Sequence, residues 1–70
     1  MEKIIAENFG CKIMERGSKI YIQYDNGQAS SWIVENEITG EEAEKAMKSG
    51  EYAYEVILEA EKRSKPTRVL

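Results

Sequence analysis

The chain has 70 residues, 13 acidic and 10 basic, with no histidine and one cysteine. That length makes a single small domain, whose folding buries only about 60% of the unfolded chain's surface. With no histidine, a lone Cys11 and no glycine-rich phosphate loop, the groups that usually carry proton transfer, metal ligation and nucleophilic attack near neutral pH are nearly missing. The sequence therefore points to a non-enzymatic surface that binds, with no cofactor and no metal.

A content of 41% hydrophobic and 33% charged residues belongs to a globular chain rather than a disordered one. No apolar run approaches the ~20 residues of a membrane span, and the first residues lack the apolar stretch of a secretory leader. One cysteine makes no internal disulfide, which fits a reducing compartment, so a cytoplasmic location is expected.

In the first segment Ile5, Phe9, Cys11 and Ile13 share a parity interrupted only by Glu7. This is the period of a strand, either one long piece or two joined near Gly10. Gly17-Ser18 then supplies a two-residue hairpin turn. If Arg16 and Lys19 flank it, Ile13 lies opposite Ile22, Cys11 opposite Tyr24 and Met14 opposite Tyr21.

The next segment alternates Ile20, Ile22 and Tyr24 with Tyr21 and Gln23, and Asp25-Asn26-Gly27 signals a second hairpin. A two-residue loop would pair Tyr24 with Ala29 and put Ile33 beside Ile20. A three-residue bulged loop pairs Tyr24 with Gln28 and sets Trp32 and Val34 on the face of Ile20 and Ile22. The one-residue slip exchanges the faces of the whole third strand. The bulged loop is preferred because burying Trp32 and Val34 outweighs Ile33 by roughly 1–3 kcal/mol.

Thr39 with Glu42 forms a capping-box signature for a helix, and Glu41, Glu42 and Glu44 suit its positive end. Ala43, Ala46/Met47, Gly50, Tyr54, Ile57/Leu58 and Glu61 recur at threes and fours, predicting one helix from about Glu41 to Lys62. Ser49-Gly50 is its weak point and could instead end one helix and begin another. Pro66 forbids continuation. The expected fold is α+β, a three-stranded antiparallel sheet in β-β-β-α order with one long C-terminal helix on one face. Residues 1–63 make the domain and 64–70 a basic, flexible tail. The expected core is Ile5, Phe9, Cys11, Ile13, Ile20, Ile22, Trp32 and Val34 against Ala43, Ala46, Met47, Tyr54, Ile57 and Leu58.

Two surfaces remain to meet a partner. The sheet face away from the helix would carry Lys12, Met14, Tyr21, Gln23, Ser31, Ile33 and Glu35, with an apolar centre of Met14, Tyr21 and Ile33 inside a polar rim. The helix would carry Glu51, Glu55 and Glu59 in a row that a basic groove could accept in place of phosphates. Both are ordinary features of a solvated domain as well, and Glu41–Lys45, Glu44–Lys48 and Glu59–Arg63 are spaced for helix ion pairs. Ser30-Ser31 has no base beside it, and Cys11 alternates with Ile13 as a small buried residue.

The candidate partner-binding residues are therefore Lys12, Met14, Tyr21, Gln23, Ile33, Glu51, Glu55 and Glu59. The expected partner is a protein, with a homodimer through the open face as one form. Nucleic acid is the alternative, using the sheet face and the tail cations Lys62, Arg63, Lys65 and Arg68. A net charge of −3 argues against it. In general character, short, acidic and without catalytic side chains, the chain resembles small proteins of bacteriophages and mobile elements, some of which inhibit host defence complexes. That likeness covers no motif and assigns no residue a role; it implies an inhibitor docked on a larger, nucleic-acid-handling complex.

Overall fold

The computed structural model describes residues 2–8, 10–25 and 33–69. Phe9, Ser30, Ser31, Trp32 and the Asn26-Gly27 turn lie outside the described residues, and so do the expectations placed on them. The architecture is α+β with an antiparallel sheet, but the described residues form five strands and two helices rather than three strands and one long helix. The strands β1 (Glu2–Asn8), β2 (Cys11–Arg16), β3 (Lys19–Asp25) and β4 (Ile33–Ile38) form a meander in chain order. They are followed by α1 (Gly40–Ala46), α2 (Gly50–Arg63) and a two-residue β5 (Thr67–Arg68) that returns to pair with β4.

The first segment folds back on itself next to Gly10, whose φ of 76° is one that glycine adopts without strain. Its tight turn sets Asn8 opposite Cys11 and Ala6 opposite Ile13. This reverses the parity read from the sequence: Ala6, not Ile5, joins the core, while Ile5 falls at a register irregularity between Ile4 and Ala6 and stays exposed. The β2–β3 hairpin is as expected. Arg16 and Lys19 flank Gly17, whose φ is 65°, and Ile13 faces Ile22, Cys11 faces Tyr24 and Met14 faces Tyr21.

The β3–β4 register differs. Tyr24 pairs with Val34 and Ile20 with Ile38, six positions beyond the bulged-loop register. Six is even, so the face assignment survives: Val34 lies with Ile22 and Tyr24, and Ile33 lies on the opposite side. This register sets Asn36 opposite Ile22 and Ile38 opposite Ile20 on the core face, where both are buried.

One helix becomes two because Ser49 leaves helical geometry, with φ −163° and ψ 165°, and its side chain accepts a hydrogen bond from the Tyr52 N–H at 3.2 Å. A serine before glycine caps a new helix more readily than it extends an old one. The Thr39–Glu42 capping box forms in full, at 3.1 and 2.9 Å. The face turned to the sheet is made of Ala43 and Ala46 in α1 and Ala53, Val56 and Ala60 in α2. Tyr54 and Leu58, expected in the core, are exposed, and so is Gly50. Small side chains let a helix lie close on a sheet, and the layer closes through its alanines rather than its bulkiest residues.

Polar staples hold the layers together. The Tyr24 hydroxyl donates to Glu61 at 2.7 Å, joining β3 to α2. Buried Asn36 donates to the Ser64 carbonyl at 3.2 Å and accepts from the Ser64 hydroxyl at 3.0 Å, tying β4 to the end of α2. Arg63 makes a two-pronged pair with Glu42, both contacts at 2.8 Å, and donates to the Glu37 carbonyl at 3.1 Å. One guanidinium thus closes α2 onto both α1 and β4.

Candidate functional site

The structure divides the eight candidate residues between two opposite surfaces. Lys12, Met14, Tyr21, Gln23 and Ile33 share the sheet face that no described element covers, as the registers Lys12–Gln23, Met14–Tyr21 and Asp25–Ile33 require. Glu51, Glu55 and Glu59 stand on the outer side of α2, all exposed.

The open sheet face has a different centre from the one expected. Met14 is buried, and Tyr21 and Ile33 are half-buried. Across them lies Arg16, read from the sequence only as a flank of the Gly17-Ser18 turn. Its guanidinium sits 4.8 Å from the centre of the Tyr21 ring and makes two bonds to Glu35, at 2.9 and 3.1 Å, and a third to Glu2 at 3.2 Å. Gln23 donates to the same Glu35 at 3.1 Å. Arg16 and Gln23 together hold the Glu35 carboxyl below the usual carboxylate range, against the opposing push of burial. The hydrogen bonds to Glu35 and Glu2 raise the Arg16 guanidinium in turn. The remaining cations of this face are paired within it as well, Lys12 with Glu7 at 4.0 Å and Lys19 with Glu37 at 3.8 Å. Five carboxylates, Glu2, Glu7, Asp25, Glu35 and Glu37, outnumber the three cations on this face, and its margins are apolar, Ile4 at β1 and Ile33 with Val69 beside β4.

The outer side of α2 is less settled internally. Glu55 pairs with Lys45 of α1 at 3.1 Å and Glu59 with Lys62 at 3.6 Å, both exposed ion pairs of small energetic weight. Lys45 and Arg63 take partners other than the ones their sequence spacing suggested, Glu55 in place of Glu41 and Glu42 in place of Glu59. Among the carboxylates stand large exposed side chains: Tyr54 at 63% of its full exposure, Tyr52 at 43% and Leu58 at 39%. Tyr54 and Leu58, one helical turn apart, border a groove of about 370 Å³ shared with Ile57, Glu61, Tyr24, Cys11, Gly10 and Asp25. Burial pushes the Cys11 thiol up, and burial together with the bond to Glu61 pushes the Tyr24 hydroxyl up, so both remain protonated near neutral pH.

No cluster of metal-ligating side chains is found among the described residues, and no described helix is long and apolar enough to cross a membrane. Tyr54 and Leu58 were read as core because the spacing of threes and fours was carried unbroken from Ala43 through Gly50, and the break at Ser49 shifts that phase. The available signal was Ala46, Ala53 and Ala60, which recur every seven residues and mark the inner row. Comparison with protein-family models, curated proteins and solved structures found no match.

Proposed function

We propose that the chain is a non-enzymatic protein-binding module that docks through the outer side of α2 onto a protein whose surface is basic around an apolar recess. The observation that carries this is the exposure of Tyr54 and Leu58 beside the Glu51, Glu55 and Glu59 row. Tyrosine anchors within a polar rim are the composition of interface hot spots. The glutamates recur about 6 Å apart along the helix axis, a spacing suited to a row of basic side chains. In its most concrete form the module is a small inhibitor filling the basic groove that a larger nucleic-acid-handling complex keeps for phosphates. Direct nucleic-acid binding is less well supported, since the three cations of the open sheet face are answered by carboxylates beside them.

The test is capture from an extract of the source organism, with partners identified by mass spectrometry and remeasured with purified components. Tyr54→Lys with Leu58→Lys, and separately Glu51, Glu55 and Glu59 changed to Lys, abolish capture with the thermal melt retained. Ile4→Glu on the sheet side leaves it intact. A partner that survives both sets of α2 changes refutes the assignment. Salt-sensitive duplex binding that is lost when the chain stops at Lys62 replaces it with the nucleic-acid reading.

A further inference from the structure

Along α2, Tyr54, Ile57, Leu58 and Glu61 are spaced at threes and fours, so they share one side of the helix. That side forms a wall of the groove of about 370 Å³, and the rest of the lining comes from Gly10, Cys11 and the end of β3. The groove is at the small end of ligand-sized pockets and suits one long side chain. Tyr24 is buried and Ile57 half-buried within it, whereas Tyr54 and Leu58 stand exposed at its border.

Its charge is of one sign. The charged residues of the described lining, Glu61 and Asp25, are both acidic, and the β3 register turns Asp25 towards the open sheet face. Glu61 is thus the carboxylate of the groove, held in place by the Tyr24 hydroxyl at 2.7 Å. Its neighbours Lys62 and Arg63 pair elsewhere, with Glu59 and Glu42, and among the described residues no cation pairs with Glu61.

We infer that this groove receives the side chain of one arginine of the docked protein, a reading that rests on the α2 proposal above. An acidic groove with aliphatic and aromatic walls complements a cation carried on an apolar stem. Ile57 and Leu58 meet the methylenes, the Tyr54 ring offers its face to the guanidinium, and Glu61 accepts from it. Arginine suits the site better than lysine. Its planar, weakly hydrated head stacks on a ring and bonds a carboxylate at the same time, while an ammonium is a strongly hydrated point charge. The same three groups already meet within the chain, where Arg16 lies 4.8 Å from the centre of the Tyr21 ring and bonds Glu35.

The test follows the backbone amide resonances of the protein as N-acetyl-arginine amide is added, with the lysine and norleucine analogues in parallel. A single residue of this size binds in the low-millimolar range. The shifts should centre on Tyr24, Ile57, Leu58 and Glu61, with lysine weaker and norleucine silent. Glu61→Gln keeps an acceptor for the Tyr24 hydroxyl, so the melt is retained while arginine binding weakens at least about tenfold. Tyr54→Ala weakens it about two- to fivefold. Glu55→Gln, outside the groove and paired with Lys45, leaves it unchanged. Lysine binding as tight as arginine, shifts that persist in Glu61→Gln, or no shift at all overturns the assignment. If that happens while a captured partner is still lost with Tyr54→Lys and Leu58→Lys, docking through α2 stands without the arginine. Arginine binding in the groove together with capture that survives the α2 changes refutes the docking alone.

Discussion

Which side of α2 faces the sheet decides both the core and the proposed docking surface, and a pair of alanine substitutions measures it. Val56 is 1% exposed in the packed layer. Val56→Ala removes two methyl-sized groups, worth about 0.8 kcal/mol each in transfer, or about 1.6 kcal/mol. The cavity left behind adds to this, and the better helix propensity of alanine returns about 0.5 kcal/mol. The expected net loss is about 1.5–2.5 kcal/mol. For a domain of this size each kcal/mol shifts the melting temperature by about 4–8 °C, so Tm falls by roughly 6–20 °C. Tyr54 keeps only about a third of its surface from water. Tyr54→Ala loses about 0.5–1 kcal/mol of burial, largely offset by the same propensity gain. Thermal melts by circular dichroism, with urea midpoints at unchanged slope, distinguish the two. A Tyr54→Ala loss equal to or larger than that of Val56→Ala would mean that α2 is rotated and that the tyrosine belongs to the core.

Three further outcomes follow from the polar staples. Asn36→Ala removes two hydrogen bonds to Ser64, costing about 1–3 kcal/mol at 0.5–1.5 kcal/mol each; hydrogen exchange should quicken at the Val69 amide, whose bond to the Ile33 carbonyl depends on the same closure. Thr39→Ala leaves the Glu42 N–H without its capping acceptor and should lower urea stability by about 1 kcal/mol. The carboxyls of Glu35 and Glu42 are held low in the folded state by Arg16 and Arg63 respectively. Their stabilisation is thus complete above the unfolded glutamate value of about 4.3 and is lost as pH falls through their lower folded values. Glu35→Gln and Arg63→Gln should each flatten that acid-side loss in urea midpoints measured against pH, and an unchanged slope in both would show that these pairs carry no linkage.

Local chemistry was legible in the sequence wherever one short-range rule decided the outcome. Gly17 fixed the β2–β3 register, and Thr39 with Glu42 began α1 where the capping box said it would. Parity placed Val34 with Ile22 and Ile33 on the opposite side, and it survived the register shift because the slip was even. What failed were choices between near-equal local options that tertiary packing settles. Ser49 could extend or cap, and it caps. Residues 4–6 could continue the parity of Ile13 or reverse it after a tight turn, and they reverse it.

The α2 assignment failed for a physical reason that also bears on function. A stripe of threes and fours carried through one unbroken helix puts Tyr54 and Leu58 in the core, but the break at Ser49 resets the phase, and a helix laid on a sheet gains from close approach, which alanine permits and tyrosine blocks. Once Ala53, Val56 and Ala60 take the inner side, the bulky residues turn outward among glutamates. The Arg16 network was missed because Arg16 is 14 and 19 residues from its carboxylates, which reach it only when four strands lie side by side. Together these two features change the makeup of both candidate surfaces. The sheet side, expected to have an apolar centre in a polar rim, is crossed by the Arg16 network and carries more carboxylates than cations. The helix side, read as a glutamate row that a basic groove could accept, adds to Glu51, Glu55 and Glu59 the exposed Tyr54 and Leu58, because close approach to the sheet leaves those two no room on the inner side.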